Sequence, residues 1–229
     1  MPLQYLKKRQ QVLDEKINYY TRNGVQVFFK DKMANELVNI EDVTARFESM
    51  LPDHIRDGVE MIIIGQFEEF QKRDINAFYK DGALYVSNFQ SSNDELLDDL
   101  VHETAHSLEE AHGYEIYADE EIKDEFIRKR MFLYDILWKM DFKAPKELFL
   151  NFEYDQEFDQ FLLKDVGYDK LSEILKGIFI TPYSATSLRE YFATGFTEFY
   201  LYPNSHNYLK RISPELYKKI SQIHALEGA

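Results

Sequence analysis

Strand-like segments are concentrated in the first ninety residues, and from Ser91 onward the hydrophobic pattern of the chain becomes almost entirely helical. Short apolar runs bounded by turn residues predict strands, whereas apolar residues that recur every three or four positions predict helices. We predict strands over residues 25–29, 59–64, 75–79 and 83–89, the last two joined by a turn at Lys80-Asp81-Gly82. This order of elements predicts an α+β fold, with a small mixed sheet followed by helices.

Helical periodicity extends over most of the remaining chain. We predict helices over residues 3–22, 40–50, 91–111, 117–141 and 187–202, and Pro214 marks the start of a last helix. A short strand-like run at 178–180 precedes a turn at Thr181-Pro182-Tyr183. No repeat, low-complexity tract or linker interrupts this pattern. We therefore expect one domain over residues 1–229, with an α/β lobe at 1–90 and a helical lobe at 91–229.

The absence of cysteine limits the chemistry that the chain can perform. Disulfides, thiolate metal sites and cysteine nucleophiles are excluded, so any metal would be held by histidine and carboxylate side chains. With 41 acidic and 27 basic residues the formal charge is -14, which disfavours nucleic acid as a partner because phosphates are repelled. The charge favours a cationic substrate or partner, and acidity that serves only solubility explains it equally well.

Neither the start of the chain nor any later apolar run indicates a targeting or membrane segment. The first ten residues, MPLQYLKKRQ, lack the apolar region of a secretory signal. No apolar run approaches the roughly 20 residues that a bilayer span needs, and the longest, at 61–65, has the length of a strand. We therefore expect no membrane association, and a protein that is cytoplasmic or delivered by a signal-independent route. The sequence does not indicate an oligomeric state.

The run His102-Glu103-Thr104-Ala105-His106 carries the most specific chemical signal in the chain. Two histidines four positions apart lie about 40° apart and one turn along on a helix, so both rings can reach one ion. Glu103 lies about 100° round the helix from His102, where it flanks the ion rather than binding it. That position suits a base that takes a proton from a zinc-bound water molecule.

The opposite face of the same helix is mostly apolar. It consists of Leu97, Leu100, Val101, Thr104, Leu108 and Ala111. The helix can therefore bury one face and present His102 and His106 to a cleft. The alternative to a metal site is a pair of surface histidines on an acidic helix.

A catalytic zinc site needs a third protein ligand, and two residues compete for that role. His112 follows His106 by the spacing of the third histidine in HExxHxxGxxH peptidases. That spacing needs a sharp helix break, usually at a glycine where this chain has Glu109, and on an unbroken helix His112 points about 100° away from His102. Glu190 stands beside the apolar stripe of the helix predicted at 187–202, where a lone glutamate is usually solvated. Periodicity alone does not select Glu190.

Three segments of the chain together resemble a known family. They are His102-Glu103-Thr104-Ala105-His106, Glu190-Tyr191-Phe192-Ala193 and Pro214-Glu215-Leu216-Tyr217, which look like segments of the family of the anthrax lethal factor catalytic domain and the clostridial Pro-Pro endopeptidases. The resemblance covers residues 95–112 and 180–220, and it is weaker before Ser91. It implies a zincin-like fold and a zinc metallopeptidase activity.

The resemblance also implies roles for single residues. In that family the glutamate that opens an E-(F/Y)-F-A segment is the third zinc ligand, which corresponds to Glu190 here. A tyrosine seven residues earlier assists catalysis, and that position is Tyr183. The implied site therefore binds one Zn²⁺ through His102, His106 and Glu190, with Glu103 and Tyr183 as catalytic residues.

Three features depart from the family pattern. Ala105 replaces a usual glycine, which a helix accommodates, and Thr194 replaces a glutamate that often supports a histidine ligand. The spacing from His106 to Glu190 is long because of an apparent insertion at about 114–165, which we expect to shape the substrate cleft. The acidic start of that insertion, residues 119–125, is typical of a solvated helix face.

These features together predict a zinc-dependent endopeptidase. Glu103 would activate the attacking water and pass its proton to the leaving amine. The strand predicted at 83–89 is the expected sheet edge for an extended peptide substrate. Two alternatives are a catalytically inactive zincin-fold binding protein, which the complete set of site residues disfavours, and a metal-dependent hydrolase of a non-peptide substrate. The cleavage-site preference cannot be read from these residues.

Overall fold

The structure is a computed structural model that describes residues 18–73 and 75–226. The chain forms two compact units, Met1–Leu108 and Glu109–Ala229. The sheet lies in the first unit, and the described residues of the second unit are helical or irregular. The predicted α+β class, a small sheet followed by helices, is confirmed. The single domain over residues 1–229, with lobes divided near residue 90, stays a prediction.

In the described part of the first unit, five strands form one sheet. They are β1 (Tyr19–Tyr20), β2 (Gln26–Phe29), β3 (Met61–Gly65), β4 (Ala77–Lys80) and β5 (Ala83–Ser87). Their order across the sheet is β1-β2-β3-β5-β4. The pairs β2–β3 and β3–β5 are parallel, whereas β1 and β4 pair antiparallel with their neighbours. The sheet is therefore mixed, as the sequence predicts.

Alternate side chains separate the two faces of this sheet. Val27, Ile62 and Leu84 lie side by side in register on one face and are almost fully buried. On the other face Phe78 stacks on Tyr85, with ring centroids 4.5 Å apart, within a cluster of aromatic rings. Apolar side chains therefore line both faces, which explains why β3 and β5 read as nearly continuous apolar runs.

The predicted sheet edge at 83–89 is wrong. β5 pairs with β3 on one side and with β4 on the other, so β4 is the outer strand on this side of the described sheet. The two-residue loop at Asp81 and Gly82 has φ values of 49° and 81°, which suit a tight hairpin turn. The turn connects the outer strand β4 to β5, so β5, which precedes the histidine helix in the chain, is internal.

Among the described residues, four helices begin in the first unit. They are α1 (Ile40–Met50), α2 (Asp53–Arg56), α3 (Glu68–Arg73) and α4 (Asn93–Tyr117). α1 has the bounds that the sequence predicts, and it buries Ile40, Val43 and Phe47 on one stripe. The side chain of Asn39 accepts the N–H of Asp42 at 3.1 Å and so caps its first turn. The first unit ends inside α4, at Leu108.

The second unit continues with short and long helices. They are α5 (Glu121–Lys139), α6 (Lys146–Leu150), α7 (Gln156–Gln160), a π-helix (Phe161–Gly167), α8 (Tyr168–Ile174), α9 (Leu188–Leu201), α10 (His206–Ile212) and α11 (Pro214–His224), with 3₁₀ turns at Tyr183–Ala185 and Pro203–Ser205. α5 and α9 correspond to the helices predicted at 117–141 and 187–202, and α11 begins at Pro214 as predicted. Within the described parts of the chain, no helix is both long enough and apolar enough for a membrane span.

Two predicted elements differ from the structure. The helix predicted at 3–22 lies outside the described residues as far as residue 17, and the part that is described contains the strand Tyr19–Tyr20. The run at 178–180 forms no strand, because the N–H groups of Ile178 and Phe179 donate to the carbonyl of Leu175 at 2.9 and 3.0 Å. These local bonds use the donors that strand pairing requires.

α9 packs closely on α11 at a glycine. The predicted apolar stripe of α9 is buried and consists of Leu188, Phe192, Phe196 and Phe199. A methyl group added at Gly195 would overlap the side chain of Leu216, which is itself fully buried. Only a residue without a side chain at position 195 allows Leu216 of α11 to approach α9 this closely.

Replacing Gly195 with alanine should destabilise the protein, because the buried Leu216 side chain has little room to move. Overpacking of this kind typically costs about 1–3 kcal/mol, so the midpoint of thermal unfolding, followed by circular dichroism, should fall. Gly113→Ala is the matched control, since no atom lies within 4 Å of a Cβ added there. Equal midpoints for the two variants would contradict the close packing of α9 on Leu216.

Candidate metal centre

The histidine motif lies on α4, whose buried face is largely the predicted one. Ser92 caps this helix by accepting the N–H of Glu95 at 3.1 Å. The predicted apolar face is buried at Leu97, Leu100, Val101, Thr104 and Leu108, but Ala111 is exposed. The helix is thus held by one face, while His102 and His106 are only half-buried.

α4 is kinked at His112, where the sequence predicts a helix stop. The backbone of His112 has φ -126° and ψ 21°, outside the helical region, and the helix then resumes as far as Tyr117. The predicted break is therefore confirmed, although the chain continues as a further helical turn. The His112 side chain is exposed.

His102 and His106 lie next to each other on the helix surface. Their ring centroids are 5.2 Å apart and the ring planes are inclined at 75°. Positions four apart on an α-helix share one face, so the two imidazoles can direct a nitrogen towards a common point. This arrangement supplies two of the ligands that the motif predicts.

Glu190 lies in the first turn of α9, whose start is well anchored. The Oγ of Ser187 accepts the N–H of Glu190 at 3.2 Å, and the N–H of Leu188 donates to the carbonyl of Phe152 at 2.8 Å. Both bonds satisfy donors that a helix N-terminus otherwise leaves unpaired. The backbone that carries Glu190 therefore has a defined position.

A buried arginine secures the segments next to this helix start. Arg130 is fully buried, and its guanidinium donates to the carbonyls of Asn151 at 2.7 Å, Thr186 at 3.4 Å and Leu148. It also stacks on Phe158, 3.9 Å from the ring centroid. Burial lowers the pKa of Arg130 to about 9. The Arg130 side chain thus links Thr186, which precedes Ser187, to Asn151, which precedes Phe152.

The ligand atoms of three predicted residues come together in the structure. A ring nitrogen from each of His102 and His106 and a carboxylate oxygen of Glu190 all lie within 4.8 Å of one another. Among the described residues this is the one group of three or more histidine and carboxylate side chains that meets this limit. His112 is not in the group, so Glu190 is the third donor that the structure offers.

The chemistry of this donor set fits zinc. Two imidazoles and one carboxylate, with a fourth position left open, form a common type of catalytic zinc site. Ligand atoms about 2.1 Å from a tetrahedral ion are roughly 3.4 Å from one another. The donor atoms lie within 4.8 Å of one another, so they could hold one ion after shifts of up to about 1.4 Å in their separations. His102, His106 and Glu190 are therefore the residues that would hold the ion.

Glu103, the predicted base, lies on α4 and is 8% exposed. One turn earlier Asp99 accepts a hydrogen bond from the Gln90 amide at 2.8 Å. Burial raises the pKa of Asp99 to about 7, and the negative charge of Glu103 adds to the rise. Near neutral pH the Asp99 carboxyl is therefore partly protonated, which limits its repulsion of Glu103. The sequence pattern assigns Asp99 no role, because its burial depends on Gln90 in the loop before the helix.

Tyr183 and Thr194 are placed on either side of Glu190 in the chain. Tyr183 opens the 3₁₀ turn after Pro182 and is half-buried, and its carbonyl accepts the Oγ1–H of Thr186 at 2.7 Å. Thr194 is buried one turn after Glu190. The catalytic role of the Tyr183 phenol stays a prediction, as does the base role of Glu103.

Comparisons of the chain with protein-family models, with curated proteins and with solved structures find no match.

The choice of third ligand can be tested by metal affinity. Glu190→Ala should weaken zinc binding by orders of magnitude because a direct ligand is lost, whereas His112→Ala should leave the affinity nearly unchanged because that side chain is not in the donor group. Competition with a chromophoric chelator measures both values. A large loss with His112→Ala and none with Glu190→Ala would reverse the assignment.

Proposed function

We propose that this protein is a zinc-dependent endopeptidase with a zincin-like fold, related to the family of the anthrax lethal factor catalytic domain. The observation that supports it most is the donor group formed by His102, His106 and Glu190. Glu190 is remote from the histidines in the sequence, and only the resemblance of the segment Glu190-Tyr191-Phe192-Ala193 indicates it as a ligand. The proximity of the three donors is independent of that resemblance.

The proposed reaction is hydrolysis of a peptide bond. Zinc, when bound, supplies a Lewis acid that polarises the scissile carbonyl and increases the acidity of water. Glu103 accepts the proton of the attacking water and then delivers it to the nitrogen of the leaving amine. Because Glu103 follows His102 directly on the helix, it flanks the donor group without belonging to it.

Tyr183 is the proposed donor to the oxyanion. Its phenol O–H would donate a hydrogen bond to the carbonyl oxygen as negative charge develops in the tetrahedral intermediate. Its position seven residues before Glu190, at the head of a 3₁₀ turn that follows Pro182, supports this role.

The substrate that we propose is an extended peptide or protein segment. β4, rather than β5, is the outer strand that offers backbone groups for pairing with such a peptide. The net charge of -14 favours cationic sequences over acidic ones at long range.

Glu103→Gln should separate metal binding from turnover. The variant should retain about one zinc per chain, because the ligands are intact, and lose most peptide cleavage, because an amide cannot accept the proton. Metal content by mass spectrometry and cleavage of a peptide library measure the two effects.

Glu110→Gln is the matched control, because Glu110 is an exposed carboxylate on the same helix. This variant should cleave peptides at the wild-type rate. Wild-type turnover by Glu103→Gln would contradict the proposed mechanism. Zinc binding with no cleavage of any library peptide by the wild type would point to the binding-protein or non-peptide alternatives.

Tyr183→Phe should lower kcat by roughly a hundredfold or more with little change in KM, because one oxyanion donor is lost and substrate binding is not. Zinc content and thermal stability should stay near the wild-type values, since the ring is retained. Tyr114→Phe, at a tyrosine that is 82% exposed, provides the control. An unaltered kcat in Tyr183→Phe would show that the hydroxyl takes no part in catalysis and that the residue serves packing alone.

A further inference from the structure

Both sequence neighbours of Glu190 are anchored by polar contacts inside the second unit. On one side, the Nε of Arg189 donates to a carboxylate oxygen of Glu109 at 3.1 Å. The Glu109 side chain is only 5% exposed, and the hydroxyl of Tyr117 donates to its other oxygen. This contact joins α9 to the last part of α4, one turn after His106 in the sequence.

On the other side of Glu190, the hydroxyl of Tyr191 is held between two charged groups. It donates to the Glu125 carboxylate at 2.7 Å and accepts from the Lys129 ammonium at 2.7 Å. Tyr191 is fully buried, so this hydroxyl is shielded from solvent.

The partners of Tyr191 are themselves fixed to a second helix. The Lys129 ammonium donates to the Oγ of Ser213 at 2.6 Å, and Glu125 accepts the N–H groups of Glu215 at 2.9 Å and Leu216 at 3.3 Å. Glu125 therefore caps the N-terminus of α11, where the Ser213 side chain makes no cap bond of its own. The Tyr191 hydroxyl is thus bound to a frame built from α5 and α11.

The two anchors constrain rotation of α9 about its own axis. Successive residues on an α-helix are about 100° apart, so Arg189 and Tyr191 project on opposite flanks of Glu190. A carboxylate oxygen roughly 6 Å from the helix axis moves by about 2 Å when the helix turns by about 20°. A shift of that size equals the whole length of a zinc–oxygen bond, about 2.1 Å.

We propose that Arg189 and Tyr191 are positioning residues that set the Glu190 carboxylate at the distance from His102 and His106 that zinc binding requires. The inference rests on the proposed zinc site. Neither residue touches the ion or the substrate, and each acts through the rotational setting of α9. The hydrogen bonds from Arg189 to Glu109 and from Tyr191 to Glu125 hold α9 in that rotational setting.

The experiment compares zinc affinity with folding stability in three variants. Tyr191→Phe removes one anchor, and Arg189→Met removes the other at a side chain that is 58% exposed, so that this variant folds even if the first does not. Tyr200→Phe is the matched control, because Tyr200 is a buried tyrosine on the same helix whose hydroxyl bonds to His224 at 3.0 Å, almost three turns from Glu190. Affinity is measured by chelator competition, stability by thermal unfolding of the metal-free protein, and ligand geometry by the visible absorption of the Co(II)-substituted protein.

Arg189→Met and Tyr191→Phe should each raise the Kd for zinc by about tenfold or more and change the Co(II) absorption, as loss of groups that orient a ligand does. Tyr200→Phe should lower the unfolding midpoint and leave the Kd and the Co(II) absorption at the wild-type values. Wild-type affinity in either folded anchor variant, or an equal loss of affinity in Tyr200→Phe, would overturn the assignment.

Glu190→Ala in the same assay separates this inference from the proposed function. If the wild type binds no zinc, or Glu190→Ala binds as tightly as the wild type, the zinc site itself is wrong and the inference falls with it. If Glu190→Ala loses affinity and the anchor variants do not, the zinc site stands and only the positioning roles are wrong.

Discussion

The buried carboxylate of Glu125 is the interaction on which the packing of the second unit depends. Removing a charge from water is costly, and here the cost is offset by the Tyr191 hydroxyl and by two backbone N–H groups at the start of α11. These donors come from α9 and α11, whereas the carboxylate belongs to α5. The charge is satisfied only when all three helices are in place, so their assembly is mutually dependent. The hydrogen bond from Tyr191 to Glu125 therefore also fixes the position of α9, the helix that carries Glu190.

Much of the first unit could be predicted from residue patterns, because its signals are local. The Asp81-Gly82 turn specifies a hairpin, and Asn39 with the stripe at Ile40 and Val43 specifies α1. The order of strands is a long-range property, and the proposal of β5 as an edge failed for that reason. A signal was present in the sequence, since residues 83–86 form an uninterrupted apolar run, as expected of an internal strand rather than an outer one.

The candidate site was predictable to a similar depth. The spacing of His102 and His106 identifies a shared helix face, whereas Glu190 required the resemblance of a longer segment. The sequence predicts a solvated acidic face over residues 119–125, but Glu125 is only 3% exposed. Its role depends on backbone N–H donors 90 and 91 positions further along the chain, which no helical periodicity reports. The environment of Asp99 also depends on a residue outside its own helix, because the Gln90 amide donates a hydrogen bond to it.

The pairing pattern of the sheet has a consequence for the order in which the first unit folds. β4 and β5 are joined by a two-residue turn, so their contacts close a very short loop, whereas β2 pairs with β3 across the whole segment that contains α1 and α2. Loop closure costs more entropy as the intervening chain lengthens, and parallel pairs form late. The β4–β5 hairpin is therefore the natural nucleus of this unit. During synthesis β3 would leave the ribosome before its parallel partner β5, which emerges as part of this hairpin.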